Sequence, residues 1–200
     1  DMVIRGGTVV NAAEISKCDV GVKDGRIVAL GEHLTAGAQE LDATGKYVMP
    51  GGIDSHCHID QRSSGGGRNS ETFESGTRSA AWGGTTTIIC FAAQEKGELL
   101  TPVVEEYHAK AKQSCIDYSF HLIISDPSDE VIHKEVPKLI KAGHRSLKLF
   151  MTYPRNRLND AEILRVLEVA KLNQALVCVH AENHDAIMYM TEKLLAADKN

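Results

Sequence analysis

Two hundred residues, 42% of them hydrophobic and 24% charged, suffice for a buried core and are ordinary for a globular chain. The net charge of -5 gives no basis for nucleic acid or an anionic membrane as partner, and no apolar run approaches the roughly 20 residues of a membrane span. Five scattered cysteines, odd in number and never spaced as CxxC, point to a reduced, cytoplasmic protein rather than a disulfide scaffold.

The chain enters strand-like sequence at once, without the basic and apolar regions of a secretory signal, and Asp1 reads as a trimmed natural start. Met2-Val3-Ile4, Thr8-Val9-Val10, Val20-Gly21-Val22 and Ile27-Val28-Ala29-Leu30 are strand candidates. Between the last two, Asp24-Gly25 is the pair favoured in a two-residue hairpin turn. Residues 41–48 add another turn and strand. Residues 1–49 are therefore expected to form a small antiparallel, β-rich, sandwich-like domain.

From Pro50 the pattern changes. Strand-like runs at 52–58, 85–92, 118–124, 146–151 and 175–180 recur at intervals of roughly 30 residues, the size of one βα unit. Helical sequence lies between them. One stretch covers 101–115, with Pro102 at its first helical position. Asp126-Pro127-Ser128-Asp129-Glu130 opens another, which Pro137 interrupts and Gly143 stops. Asn159 opens an amphipathic run through Asn173, with Ile163, Leu164, Leu167 and Ala170 on its apolar face.

Such a series implies an α/β fold, either an open sheet or part of a barrel. An open doubly wound sheet usually places a phosphate-binding glycine turn after its first strand. Here the first strand ends instead in His56-Cys57-His58. The preferred reading for residues 50–200 is a partial (β/α)8 TIM-like barrel, its first five βα units, preceded by the β-rich domain.

Side chains alternate along a strand, so His56 and His58 point one way and Cys57 the other. Two imidazoles side by side can reach one metal ion, with zinc and its neighbours the natural occupants. Taken alone, an HxH can equally be two polar residues at a strand end. Barrel strands carry reacting groups at their C-terminal ends, which adds Lys148 from the fourth strand and His180 from the fifth. A lysine is an ammonium at neutral pH and would be repelled by a cationic site unless it lost its charge. The alternative for Lys148 is a salt-bridged or snorkelling residue. Cys178, on the face of His180, reads as packing one layer below the site rather than as a ligand. His33, His108, His121, His133 and His144 read as surface or satisfied residues.

Four segments together carry a family resemblance: Pro50-Gly51-Gly52-Ile53-Asp54-Ser55-His56-Cys57-His58; Gly76-Thr77-Arg78-Ser79-Ala80-Ala81 with Gly83-Gly84-Thr85-Thr86-Thr87; Ser146-Leu147-Lys148-Leu149-Phe150-Met151-Thr152-Tyr153; and Val179-His180-Ala181-Glu182-Asn183. The chain resembles the cyclic-amide branch of the amidohydrolase superfamily, and within it the dihydropyrimidinases and D-hydantoinases.

The resemblance implies two divalent metal ions, zinc first and manganese or cobalt as alternatives. His56 and His58 would hold one, His180 would help hold the other, and Lys148, carboxylated on its ε-nitrogen, would bridge them. It implies that Tyr153 hydrogen-bonds the substrate carbonyl, and that Phe150 lines the pocket for the exocyclic group. A packing tyrosine and a core phenylalanine would look the same in sequence. The implied substrate is a small cyclic amide, a 5,6-dihydropyrimidine or 5-substituted hydantoin opened to an N-carbamoyl amino acid, and the implied assembly is a homotetramer.

The runners-up are another cyclic amidase, such as an allantoinase or dihydroorotase, and a non-catalytic relative of the collapsin-response mediator type. A further histidine after a sixth strand and an aspartate after an eighth would lie beyond Asn200. Eight units need about 250 residues, so the chain reads as the N-terminal part of a longer enzyme, inactive by itself. Two departures bear on the preferred substituent. The polar loop 62–70 reads as a mobile lid or a plain solvent loop, and His184 stands where the family usually has glycine.

Overall fold

Asp24 and Gly25 both take positive φ, 49° and 71°, in the computed structural model, which describes residues 1–62 and 67–199. Left-handed backbone at both central positions makes a turn whose twist matches its strands. It joins β2 (Ile15–Lys23) to β3 (Arg26–Gly31) as an antiparallel hairpin. β1 (Met2–Val10) pairs antiparallel with the other edge of β2. The two strand candidates at its ends form one strand with an irregularity between Ile4 and Gly7, where Gly6 takes φ 64°.

The purely antiparallel expectation needs correction. β4 (Gln39–Asp42) and β5 (Tyr47–Val48) both run parallel to β1. The segment after β3 is long enough to cross β2 and return on the far edge of β1, which a two-residue turn cannot do. Asp19 pins this crossing. Its buried carboxylate accepts from the Gly6 amide at 2.9 Å, the Leu34 amide at 3.2 Å and the Arg5 guanidinium at 3.0 Å.

The chain divides into two compact units, Asp1–Gly51 and Gly52–Asn200. The second is built on five parallel strands: β6 (Gly52–Cys57), β7 (Thr85–Ala93), β8 (Asp117–Ile123), β9 (Ser146–Phe150) and β10 (Leu176–His180). Their spatial order is their sequence order, with no point where the winding reverses. That is the progression of a barrel wall rather than a doubly wound sheet. The sheet is a curled half-barrel.

Helices return the chain between strands. α1 (Phe73–Trp82) was not anticipated, although Thr72 and Ser75 form a reciprocal capping box at its start. α2 (Leu100–Ala111) begins one residue earlier than expected, so Pro102 is its third residue and still within the turn that needs no amide donor. Its first amides, Leu100 and Thr101, donate instead to the Glu135 carboxylate. Glu135 closes a single π-helical turn, Val131–Glu135, that runs directly into α3 (Val136–Lys141).

Asn159 caps α4 (Asp160–Leu172), with Glu162 completing the box. The buried stripe of α4 is Ile163, Val166, Val169 and Ala170, while Leu164 is 64% exposed and Leu167 also stands outside. The expected face was rotated, because Val166 and Val169 rather than the leucines meet the sheet. α5 (His184–Ala196) follows β10 and buries none of its residues.

Strand parity divides the sheet's side chains. Cys90, Phe120, Leu122, Leu147 and Leu149 join the helix-side core with Phe73, Tyr107 and Ile132. Phe91, Ile123 and Phe150 form a separate small cluster on the opposite face.

Candidate metal and substrate site

The face of Phe91, Ile123 and Phe150 also carries the ligand-type side chains, by register. In these parallel pairs Lys148 lies beside Ile123 and Cys178, His180 beside Phe150, and Phe91 beside His121. Cys57 packs instead against the helix-side core, its Sγ 3.7 Å from that of Cys90, so it points away from its histidine neighbours as alternation requires.

Phe91 and Phe150 are two aromatic supports. The His58 ring stacks on Phe91 with centroids 4.6 Å apart, and His56 meets the same ring edge-on at 4.7 Å. His180 stacks on Phe150 at 5.6 Å, and Tyr153 lies 5.1 Å from His180. Between the supports stands Lys148, its Nζ 4.9 Å from the Phe150 centroid and 5.9 Å from that of Phe91.

Lys148 is only 6% exposed, and among the described residues its amine has no carboxylate partner. A buried cation left unpaired is costly. Burial holds His56 below its ordinary value of 6.5, with His58, Lys148 and His121 adding charge repulsion, so its ring is neutral at pH 7.

One cavity of about 500 Å³ is lined by His56, His58, Lys148, Phe150, Tyr153 and His180, the six residues singled out from sequence. Local bonds orient several of them. His58 Nδ1 lies 2.6 Å from Gln61 Oε1, and its carbonyl accepts from Asn69 at 2.8 Å. His180 Nε2 contacts the Glu182 carboxylate. Tyr153 has φ 65°, unusual for a bulky residue, and its carbonyl accepts from the amides of Asn156 and Arg157, both at 2.8 Å. Among the described residues, no three His, Cys, Asp or Glu side chains are grouped to hold a metal by themselves. Lys148, the remaining polar group between the two supports, is as an amine not such a ligand.

Other residues escaped the sequence reading. Phe91 lay unremarked within a strand run, and its role as a support appears only once its register against His121 is known. Gln94 ties the loops after β7 and β8: its oxygen accepts from Ser125 at 2.9 Å and Asp126 at 3.1 Å, and its amide donates to the Glu98 carbonyl at 2.6 Å. At the mouth, Arg62 pairs with Glu98 at 3.1 Å and Glu106 at 2.7 Å, while Arg155 pairs with Glu95.

His121 is satisfied as expected, bonded to Ser146 Oγ at 2.6 Å and the Ser55 carbonyl at 2.8 Å. His184 reaches Thr152 Oγ1 at 3.2 Å. The choice between lid and plain loop for 62–70 turns on residues 63–66, which lie outside the described residues. No helix among the described residues is long and apolar enough to cross a membrane.

The half-barrel thus gathers three histidines and a buried lysine at one mouth. Residues 47–199 match the amidohydrolase family, and the chain belongs to that family. It is 45% identical to a D-hydantoinase of Streptomyces coelicolor, the match covering 97% of this chain and 43% of that protein. A D-hydantoinase of Geobacillus stearothermophilus is 47% identical over 96% of this chain and 41% of its own. The crystal structure of a dihydropyrimidinase from Brevibacillus agri superposes with a TM-score of 0.92 at 41% identity, over 98% of this chain and 43% of that one. The chain thus spans less than half the length of these relatives.

Proposed function

We propose that the protein hydrolyses cyclic amides, opening 5,6-dihydropyrimidines or 5-monosubstituted hydantoins to N-carbamoyl amino acids with the help of two divalent metal ions. The observation that carries this reading is Lys148, a buried amine without a carboxylate partner among the described residues, standing between the His56–His58 pair and His180. Carboxylation of its ε-nitrogen by CO2 converts the unpaired cation into an anion, which suits a site where the surrounding imidazoles hold metal cations. His56 and His58 would hold one ion, His180 would help hold the other, and the modified Lys148 would bridge them. Zinc suits the imidazole donors, with manganese or cobalt as alternatives. When bound, such a pair polarises a carbonyl and makes water nucleophilic near neutral pH.

The protein's own groups do the rest. Tyr153 donates a hydrogen bond from its hydroxyl to the substrate carbonyl oxygen and to the oxyanion that develops there. Its strained backbone, held by the Asn156 and Arg157 amides, fixes the side chain before substrate arrives. Phe150 walls the pocket beside the ring substituent. Residues 1–49 serve as a β-rich domain, and 50–200 contribute the first five units of the catalytic barrel. The names of the D-hydantoinase and dihydropyrimidinase relatives support this substrate class. A cytoplasmic homotetramer is part of the same proposal.

The test is metal content and turnover of dihydrouracil, hydantoin, allantoin and dihydroorotate by the full-length protein. The expected result is about two metal ions per chain and preference for the first two substrates. Preference for allantoin or dihydroorotate would move the assignment to a neighbouring cyclic amidase. Absence of both metal and turnover would leave a non-catalytic interaction protein.

A further inference from the structure

Two histidines the proposed chemistry does not use meet on the other side of the sheet. His108 lies in the last turn of α2, and His144 follows α3, two residues before β9. Their Nε2 atoms are 3.4 Å apart and their ring centroids 5.3 Å apart. Both are half-buried over Phe120, whose ring belongs to the helix-side core. The pair sits by the N-terminal ends of the strands, whereas the cavity opens at their C-terminal ends. Neither ring pairs with a carboxylate among the described residues.

We propose that His108 and His144 form a second metal site, for a divalent ion of the copper and zinc kind, independent of the cavity. If the two ring axes converge on one point, with roughly 1.15 Å from an imidazole centroid to its nitrogen, these separations correspond to about 2.1 Å from each Nε2 and an angle of about 110°, which is compatible with two histidines on zinc. A straight hydrogen bond of the same length, with the ring axes in line, would hold the centroids about 5.7 Å apart.

A second feature fits a ligand. His108 Nδ1 lies 3.3 Å from the Tyr118 hydroxyl. Ligation through Nε2 requires the proton on Nδ1, and a hydroxyl oxygen there accepts it, fixing tautomer and ring orientation. No third His, Cys, Asp or Glu completes the group among the described residues, so water takes the remaining positions. A bound ion would tie the end of α2 to the turn entering β9 across Phe120.

The test is Cu2+ titration of the full chain, followed by calorimetry and electron paramagnetic resonance, after the cavity has been disabled by His56→Asn with His180→Asn. One remaining equivalent with a two-nitrogen signature is expected, together with a rise in melting temperature. His108→Asn and His144→Asn should each remove that equivalent. Tyr118→Phe keeps the packed ring and should weaken it roughly tenfold, guarding against variants that fail to fold. Copper with no imidazole nitrogen ligation, or an equivalent that survives both histidine substitutions, would overturn the proposal. Neither result would touch the hydrolase reading, since the cavity residues are already substituted.

Discussion

Lys148→Met asks whether the amine between the two aromatic supports is kept for stability or for metal. Methionine follows nearly the same path as lysine, leaves no cavity and removes the charge. The buried ammonium costs several kcal/mol less whatever the cavity's water and the faces of Phe150 and Phe91 return. The cation–π contacts return about 0.5–2 kcal/mol. Removing an unmodified lysine should therefore stabilise the metal-free protein by about 1–3 kcal/mol, within the range seen when buried charges are replaced by apolar groups. The same substitution should abolish metal binding and activity, so the metal-loaded wild type loses its advantage over the variant. Urea denaturation with and without chelator, alongside metal analysis, reads both effects. Wild-type metal content in Lys148→Met would refute the bridging role. A less stable metal-free variant would refute the account of an uncompensated buried charge.

Tyr153→Phe should lower kcat by about 100-fold or more with a smaller change in KM, because the hydroxyl is assigned to charge that develops during reaction; an equal loss in ground-state binding would deny it that role. Glu135→Ala removes a carboxylate from two backbone amides at the start of α2 and should cost about 2 kcal/mol in urea unfolding, whereas an unaffected midpoint would mean water caps the helix equally well. The Gly6 amide foremost, then the Leu34 amide and Arg5, hold the Asp19 carboxyl below its ordinary value of 3.8. A lowered folded-state value gives stability that is complete above pH 3.8 and is lost as pH falls through the folded value. Hydrogen exchange in β1 and β2 should accelerate over that acid range in the wild type, and Asp19→Asn should lack this dependence.

Periodicity, turn chemistry and caps carried much of the fold into view from sequence alone. The Asp24-Gly25 turn, the five strand runs of the second unit and the Asn159 cap are all written in residues within a few positions of one another. Features that depend on distant partners were hidden. β4 and β5 run parallel to β1 because the chain crosses β2, and no local residue records that crossing. The amides opening α2 are satisfied by Glu135, 35 residues away from Leu100. The apolar stripe of α4 was misread because a leucine and a valine look alike to a pattern and only packing chooses between them. At the site, the ligand-type residues stand out as chemistry, whereas Phe91 and Gln94 act through contacts with other strands and loops.

Register makes site and core one property of this sheet. Leu147 and Leu149 are fully buried on the helix side of β9, so Lys148 must face the cavity. Sliding β9 by one residue would turn Leu147 and Leu149 toward the cavity and carry Lys148, with Phe150, into the apolar layer, losing two buried leucines and gaining a buried charge. Each leucine contributes about 1.5–3 kcal/mol of burial, so the slipped register is excluded by several kcal/mol before any ion binds. Assembly of the donor set is thus driven by hydrophobic packing on the opposite face. Leu147→Ala or Leu149→Ala should therefore weaken metal retention through loosened register, although neither side chain reaches the cavity. Loss of stability without any loss of metal in both variants would show that the ligands hold themselves in place.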